Sequence, residues 1–122
     1  LMSLRHVVTD KWNSEIIWAN PRNTNSVLER LLIPFFSPSH QSATGVSSNL
    51  GVTLDVAEMF YTDNGVPIEE DKTFNYSNRY DLTIATPEYQ YYVQTGFQAP
   101  QLLLNREPRF YAYLGFDGGV WF

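Results

Sequence analysis

Three consecutive acidic residues, Glu69, Glu70 and Asp71, are the first candidates for chemistry in the sequence. A glycosidase needs two carboxyl groups flanking the glycosidic bond, one of them with a raised pKa so that it can act as an acid. Neighbouring residues of an extended chain point to opposite faces, and nothing local would raise one pKa. We therefore interpret the run as a solvated acidic loop, and two facing carboxylates in a cleft would be needed to revive the glycosidase hypothesis.

Other residue types that perform catalysis or bind metals are scattered along the chain. His6 and His40 lie in unrelated contexts, without the convergent neighbours that a metal site requires. Ser42, Ser47 and Ser48 lack the Gly-x-Ser-x-Gly surround of a nucleophile, and the glycines form no phosphate-binding pattern. The sequence predicts a protein that is not an enzyme, with no metal and no cofactor.

The segment Arg106-Glu107-Pro108-Arg109 places two arginines and one carboxylate within a single turn of chain. An anion site would use both guanidinium groups, but a local ion pair would consume at least one of them. We predict that this segment is scaffold, in which an internal ion pair orders a turn before the next element.

Aromatic residues make up 16% of the 122-residue chain, as 8 Tyr, 8 Phe and 3 Trp. That is more than one core of this size needs, and Trp and Tyr are seldom fully buried, so some should reach the surface. Sugar rings stack on aromatic planes, and nearby amides and charged groups can bond their hydroxyls. Any single aromatic at strand spacing, such as Tyr89 or Tyr91, is better explained as core. As a set, the aromatics indicate carbohydrate binding.

Trp12 and Trp18 are the predicted stacking platforms, because they are flanked by hydrogen-bonding groups next to a predicted loop, those of Asn13, Asn20 and Arg22. Tyr61 and Tyr76 are the next candidates, since both lie close to turns and to acidic or amide side chains.

Charge and composition exclude several classes of partner. A net charge of −5 opposes binding to nucleic acid, and polybasic membrane patches are absent. Without cysteine there are no disulfides and no lipid-bearing thiol in these residues, and no apolar run reaches the ~20 residues of a transmembrane helix. The abrupt start at Leu1 and the aromatic end at Phe122 suggest that residues 1–122 are one loop-rich segment of a longer protein.

Periodicity and turn residues predict an α+β fold, rich in loops, with short helices and small antiparallel β-hairpins. Thr24 or Asn25 can cap the first helix, and Thr53 can cap the second. The predicted elements are a strand over 14–19, a helix that ends before Pro34, a loop over 37–51, a helix over 53–61, a turn at 63–65, paired strands over 80–84 and 89–93, and a final hairpin of 110–114 with 120–122.

Two stretches carry a family resemblance: LDVAEMFYTDNGVPI at 54–68 and NREPRFYAYLGFDGGVWF at 105–122. They resemble the central region of the SusD/RagB family, and NSEIIWA at 13–19 resembles a family strand. The resemblance covers most of the chain. It identifies the chain as the loop-rich subdomain that lies outside the tetratricopeptide-like helix pairs of the family. Its recurrent positions are turn and strand residues, which we interpret as structural: Asp63, Asn64, Gly65, Arg106, Pro108, Arg109, Tyr111, Asp117 and Gly118.

The resemblance implies a surface lipoprotein of the Bacteroidetes outer membrane, whose lipid anchor lies outside this segment. Such a protein binds oligosaccharide, polysaccharide or another nutrient without catalysis and delivers it to a TonB-dependent, SusC-like transporter. The family places its ligand-contacting aromatics in variable loops, so the resemblance assigns no binding residue here. An alternative remains: the aromatics could form a protein interface with a helical scaffold or with the transporter, without ligand contact.

Overall fold

The computed structural model describes residues 2–10, 12–18, 27–33, 39 and 49–120, and within these it describes only the backbone of Val8, Thr9, Leu28 and Glu29. Contacts divide the chain into two compact units, Met2–Val52 and Thr53–Phe122. Short helices, one two-stranded antiparallel sheet and much irregular chain confirm the predicted loop-rich α+β class.

In the first unit, helix α1 spans Met2–Thr9 and helix α2 spans Val27–Leu32. The apolar spacing predicted α2 correctly, whereas α1 was not predicted. The proposed cap residues Thr24 and Asn25 lie outside the described residues, as does most of the predicted loop over 37–51.

The strand predicted over 14–19 is wrong for its described part. The Asn13 side chain accepts a hydrogen bond from the Glu15 amide at 2.9 Å, and the Asn13 carbonyl accepts one from the Ile16 amide at 3.3 Å. Asn13 therefore forms a turn of its own where the β-branched residues suggested an extended chain.

In the second unit, helix α3 spans Leu54–Glu58 and begins after Thr53, as predicted, but it ends earlier. Thr53 caps it with its backbone carbonyl and not with its side chain. The helix ends because Tyr61 and Thr62 enter β-bridges with Pro67 and Arg106.

The turn predicted at 63–65 is confirmed. Gly65 has a φ of 73°, and the amide of Thr62 bonds the Val66 carbonyl at 2.9 Å, which closes the turn. A residue with a positive φ in a tight turn is most often glycine, since it has no Cβ to clash.

The two-stranded sheet pairs β1, Leu82–Ile84, with β2, Gln98–Pro100, in antiparallel register. The predicted pairing of 80–84 with 89–93 is therefore wrong. Pro87 begins a 3₁₀ turn over Pro87–Tyr89, and the amides of Tyr92 and Val93 both bond the Tyr89 carbonyl at 2.8 Å. This turn consumes the donors that a strand would have used.

The strand predicted over 110–114, as the first strand of the final hairpin, is also wrong, because residues Pro108–Tyr113 form helix α4. Pro108 occupies the first turn, where its missing N–H is harmless and its fixed φ suits a helix. Phe110, Tyr111 and Ala112 are all buried, which three consecutive residues of a half-buried strand would not be. The alternating aromatics misled the prediction, and the Asp117-Gly118-Gly119 turn follows a helix instead of a strand.

The core of the second unit surrounds Phe110, which is fully buried. Its ring meets Phe60 edge-on at 5.7 Å and Phe116 at 5.8 Å, while Tyr111 stacks on Tyr92 at 4.4 Å. Such pairs stabilise a fold by ~0.5–1.5 kcal/mol each beyond the area that they bury. Part of the aromatic excess therefore belongs to the core. Tyr91, which the sequence assigned to a core-facing strand, is instead 64% exposed, because the chain turns at Pro87–Tyr89.

Candidate functional site

Arg106 is 2% exposed and is held by backbone carbonyls instead of a carboxylate. Its Nη1 donates to Leu102 O at 2.8 Å, and its Nη2 donates to Ala57 O at 2.8 Å and Phe60 O at 2.6 Å. Its Nε donates to Tyr61 O at 3.3 Å. We call this arrangement the Arg106 cage. Burial lowers the pKa of Arg106 to about 10, so the guanidinium still carries its charge at neutral pH.

The ion pair predicted in this segment joins Arg109 and Glu107, at 2.6 Å between Nη2 and Oε2. The other Glu107 oxygen accepts the Tyr61 amide at 2.9 Å. The scaffold role is confirmed, but Arg106 is not part of the pair. Tyr111 follows in the same segment, and its hydroxyl donates to Leu103 O at 3.0 Å. Burial raises the pKa of this phenol.

Asp71 is 9% exposed, so the acidic run is solvated only at Glu69 and Glu70. Hydroxyl groups of Thr62 and Thr73 donate to the Asp71 carboxylate at 2.6 and 2.7 Å, and the Thr73 amide donates at 2.8 Å. These bonds, led by Thr62, hold the pKa of Asp71 well below its ordinary value of 3.8. The Asn64 amide also donates to this carboxylate, at 3.0 Å. Asp71 therefore fixes a loop, and its lowered pKa keeps it ionised at neutral pH, whereas a general acid must hold a proton. Its interpretation as part of a solvated loop is corrected.

Three adjoining pockets in the second unit share Asn105, and we call them together the Asn105 groove. Their volumes are about 410, 210 and 300 Å³. The first shares Tyr89 with the third and Phe74 with the second. Its hydroxyl and amide side chains are Thr73, Asn75, Thr83, Thr86, Gln101 and Asn105.

Asn105 has a φ of 55°, in the left-handed region that asparagine enters more readily than most residues. Its Oδ1 accepts a hydrogen bond from the Tyr89 hydroxyl at 2.9 Å, and its carbonyl accepts the Asp63 amide at 3.0 Å. Nδ2 has no hydrogen-bond partner within the described part of the chain. The Tyr89 bond therefore orients an exposed amide with its donor hydrogens available to a ligand.

The first pocket combines two half-buried aromatic side chains, Tyr89 and Phe74, with donors and acceptors on several sides, and the third pocket adds the half-buried Tyr92. Apolar surface with a few convergent polar groups is typical of small-ligand sites, and amide and hydroxyl groups match the hydroxyls of a sugar. Within the described residues, no group of three or more His, Cys, Asp or Glu could hold a metal ion.

The model of the SusD family matches residues 12–122. The chain belongs to the SusD family. Membership indicates binding of nutrients or glycans at the cell surface, in a family that is non-catalytic. No curated protein matches the chain significantly. None of the helices among the described residues is long and apolar enough to cross a membrane.

In this SusD-family chain, the predicted platforms Trp12 and Trp18 belong to the first unit and are 66% and 85% exposed. Both rings are therefore accessible. Of their predicted partners, Asn13 is already bonded within the chain, since its Nδ2 donates to Val7 O at 2.6 Å and its Oδ1 accepts the Glu15 amide. Asn20 and Arg22 lie outside the described residues, so the proposed cluster around the two tryptophans stays a prediction.

Tyr61 and Tyr76 lie in the second unit, and neither lines the Asn105 groove. Tyr61 is 41% exposed, while Tyr76 is half-buried and donates through its hydroxyl to Glu58 Oε2 at 3.3 Å. The Arg79 guanidinium lies 4.1 Å from the Tyr76 ring and also pairs with Glu58 at 2.7 Å. One face of Tyr76 is thus already covered by a cation.

The sequence prediction did not include Asn105, Tyr89, Glu88 or Gln101 among the site residues. Asn105 could have been noticed from its residue type and position. Asparagine is enriched at left-handed backbone positions, and Asn105 directly precedes the predicted scaffold segment 106–109. The other three come together only through the 3₁₀ turns Pro87–Tyr89 and Gln101–Leu103, which local patterns did not reveal.

Proposed function

We propose that this chain binds a glycan, or another nutrient, at the outer-membrane surface and delivers it uncleaved to a TonB-dependent, SusC-like transporter. Membership of the SusD family supports the binding role, and the lipid anchor would lie outside this segment. The observation that carries the proposal is the Asn105 groove, in which an oriented amide and two aromatic side chains share one depression.

Aromatic stacking and hydroxyl hydrogen bonds would supply the affinity. Each stacked ring contributes ~1 kcal/mol beyond desolvated area, so two or three rings, together with the desolvated area and hydrogen bonds to hydroxyls, suit micromolar to millimolar dissociation constants. Affinity of that order suits a protein that must capture a ligand and then release it to a transporter.

Trp12 and Trp18, with Asn20 and Arg22, remain a second proposed contact region, and Tyr61 and Tyr76 a third. The high exposure of the two tryptophans supports their use as stacking surfaces.

The experiment is a calorimetric titration of the full-length protein with a panel of neutral oligosaccharides. We expect saturable binding of at least one oligosaccharide, which Asn105→Gly weakens. Trp18→Ala weakens it as well if Trp18 contacts ligand, and identical affinities would remove Trp18 from the site. Chromatography of the ligand after incubation should return it intact, and released shorter sugars would contradict a purely binding role.

A second function, from the interaction class, is favoured by the same exposed tryptophans. Trp and Tyr are enriched where one protein docks on another, so Trp12 and Trp18 would then pack against the transporter or a helical scaffold. Tryptophan fluorescence distinguishes the two cases. Quenching or shift with the transporter alone, and none with any sugar, favours the interface.

A further inference from the structure

The charges around the Asn105 groove are unevenly distributed. Glu88 lines the first and third pockets, Asp63 lines the second and third, and both side chains are exposed. The cation among the lining residues is Arg106, in the third pocket. Two exposed carboxylates and one arginine therefore line the groove.

Arg106 is not available to a ligand anion. All three of its nitrogens already donate to the carbonyls of the Arg106 cage, and 2% of the residue is exposed. Turning the guanidinium toward the groove would leave several buried carbonyls without donors. Asp71, in the second pocket, is likewise bonded within the protein and adds further negative charge there.

Recognition of carboxylated or sulfated sugars uses arginine or lysine side chains that reach the anion. The lining residues of the three pockets include no lysine, and their arginine is committed to the cage. An anionic sugar would bring its carboxylate or sulfate groups close to the carboxylates of the protein, and such contacts between like charges oppose binding. The side chains that remain accessible are neutral hydroxyl and amide groups beside two carboxylates.

We infer that the Asn105 groove selects glycans built from neutral sugars and rejects glycans that carry carboxylate or sulfate groups. Hydroxyls of a neutral sugar can donate to Glu88 and Asp63 and accept from the Asn105 amide. The inference rests on the proposed function, because it assigns a ligand class to the same groove.

The test compares two forms of one ligand. The first is a neutral hexose oligomer that binds in the panel, and the second is the same oligomer with its C6 hydroxyls oxidised to carboxylates. Both are titrated into the full-length protein at about 0.01 M and about 1 M salt, where charges act over ~30 Å and ~3 Å. We expect the oxidised form to bind about tenfold more weakly at low salt, and the difference to shrink at high salt.

Glu88→Gln and Asp63→Asn should each reduce the discrimination at low salt. Glu70→Gln is the matched control, because Glu70 is exposed and lies outside the three pockets. If Glu70→Gln reduced the discrimination as much as the other two variants, the net charge of −5 and not the groove would be responsible, and the inference would be overturned.

Equal or tighter binding of the oxidised oligomer by the wild-type protein would also overturn the inference, while leaving glycan binding itself intact. Failure of every oligomer to bind, neutral and oxidised, would instead contradict glycan binding as the proposed function, and the selectivity with it. The two failures are therefore distinguishable in one set of titrations.

Discussion

The Arg106 cage and the Asn105 groove are named for two consecutive residues with opposite environments. Arg106 is buried, and Asn105 is exposed. Arg106 sends its guanidinium inward to carbonyls of α3 and its C-terminal extension, whereas Asn105 offers its amide to solvent. The left-handed φ of Asn105 allows this change of direction within one residue. In our account the Arg106 side chain stabilises the fold and the Asn105 side chain contacts the ligand. Mutations at the two positions should therefore change stability and ligand affinity separately.

The largest effect is expected from Arg106→Ala, which leaves buried carbonyls without donors. We predict a loss of about 3–5 kcal/mol in the free energy of unfolding, measured by urea denaturation. Arg106→Lys keeps the charge but not the fork of donors, so it should also be strongly destabilised. Wild-type stability in the lysine variant would show that charge alone matters and that the cage does not.

Gly118 gives the next largest effect, with Gly65 as its matched control. Both have a positive φ, of 79° and 73°, so alanine costs about 1–2 kcal/mol at either position. A Cβ on Gly118 would lie 2.3 Å from the Phe97 ring, whereas one on Gly65 has no neighbour within 4 Å. Gly118→Ala should therefore lose about 1–3 kcal/mol more in denaturation experiments. Equal losses would mean that the Phe97 contact is unimportant.

A smaller effect is expected in the loss of folding stability at acid pH, to which Asp71 contributes. Its folded pKa lies below the ordinary value of 3.8, so the unfolded state takes up a proton that the folded state resists. The contribution of Asp71 is complete above that ordinary value and is lost as the pH falls through it toward the folded pKa. In thermal melts below about pH 4, Asp71→Asn should show a shallower decline than the wild type, and Glu70→Gln controls for removing an exposed carboxylate. Parallel declines in Asp71→Asn and the wild type would contradict the role of this network.

The smallest effect on stability is expected in the groove. Tyr89→Phe removes the hydroxyl that orients the Asn105 amide but keeps the ring, so the free energy of unfolding should change by about 0.5–1.5 kcal/mol at most. Ligand affinity should fall with it, because the amide is then free to rotate. An unchanged dissociation constant would show that this orientation is not needed.

Local features of this fold could be predicted from the sequence. The Asp63-Asn64-Gly65 turn, the helix beginning after Thr53 and the Glu107–Arg109 pair each depend on residues within a few positions of one another. The Arg106 cage could not be predicted, because its partner Ala57 lies 49 residues away in the chain. The same holds for Asp71, whose partner Thr62 is brought to it by the fold.

The aromatic residues show why the final strand was wrongly predicted and why the groove was missed. Period-2 aromatics suggested a strand at Phe110 and Tyr111, but Pro108 starts a helix that buries both against the core. The groove was missed because Tyr89 and Asn105 are 16 residues apart and meet only in the folded chain. Family membership could be inferred from the two long motifs, which contain the turn and all the residues of the Arg106 cage except Leu102.

Titration of the full-length protein and its Asn105→Gly variant with a neutral oligosaccharide tests the central claim most directly. Glycine keeps the left-handed backbone and removes the exposed side chain with its bond to Tyr89, so the free energy of unfolding should stay within about 1 kcal/mol of the wild type. We predict that the dissociation constant increases two- to tenfold, which corresponds roughly to the loss of one or two hydrogen bonds to the ligand. Equal affinity in the two folded proteins would contradict the assignment of the Asn105 groove as the binding site.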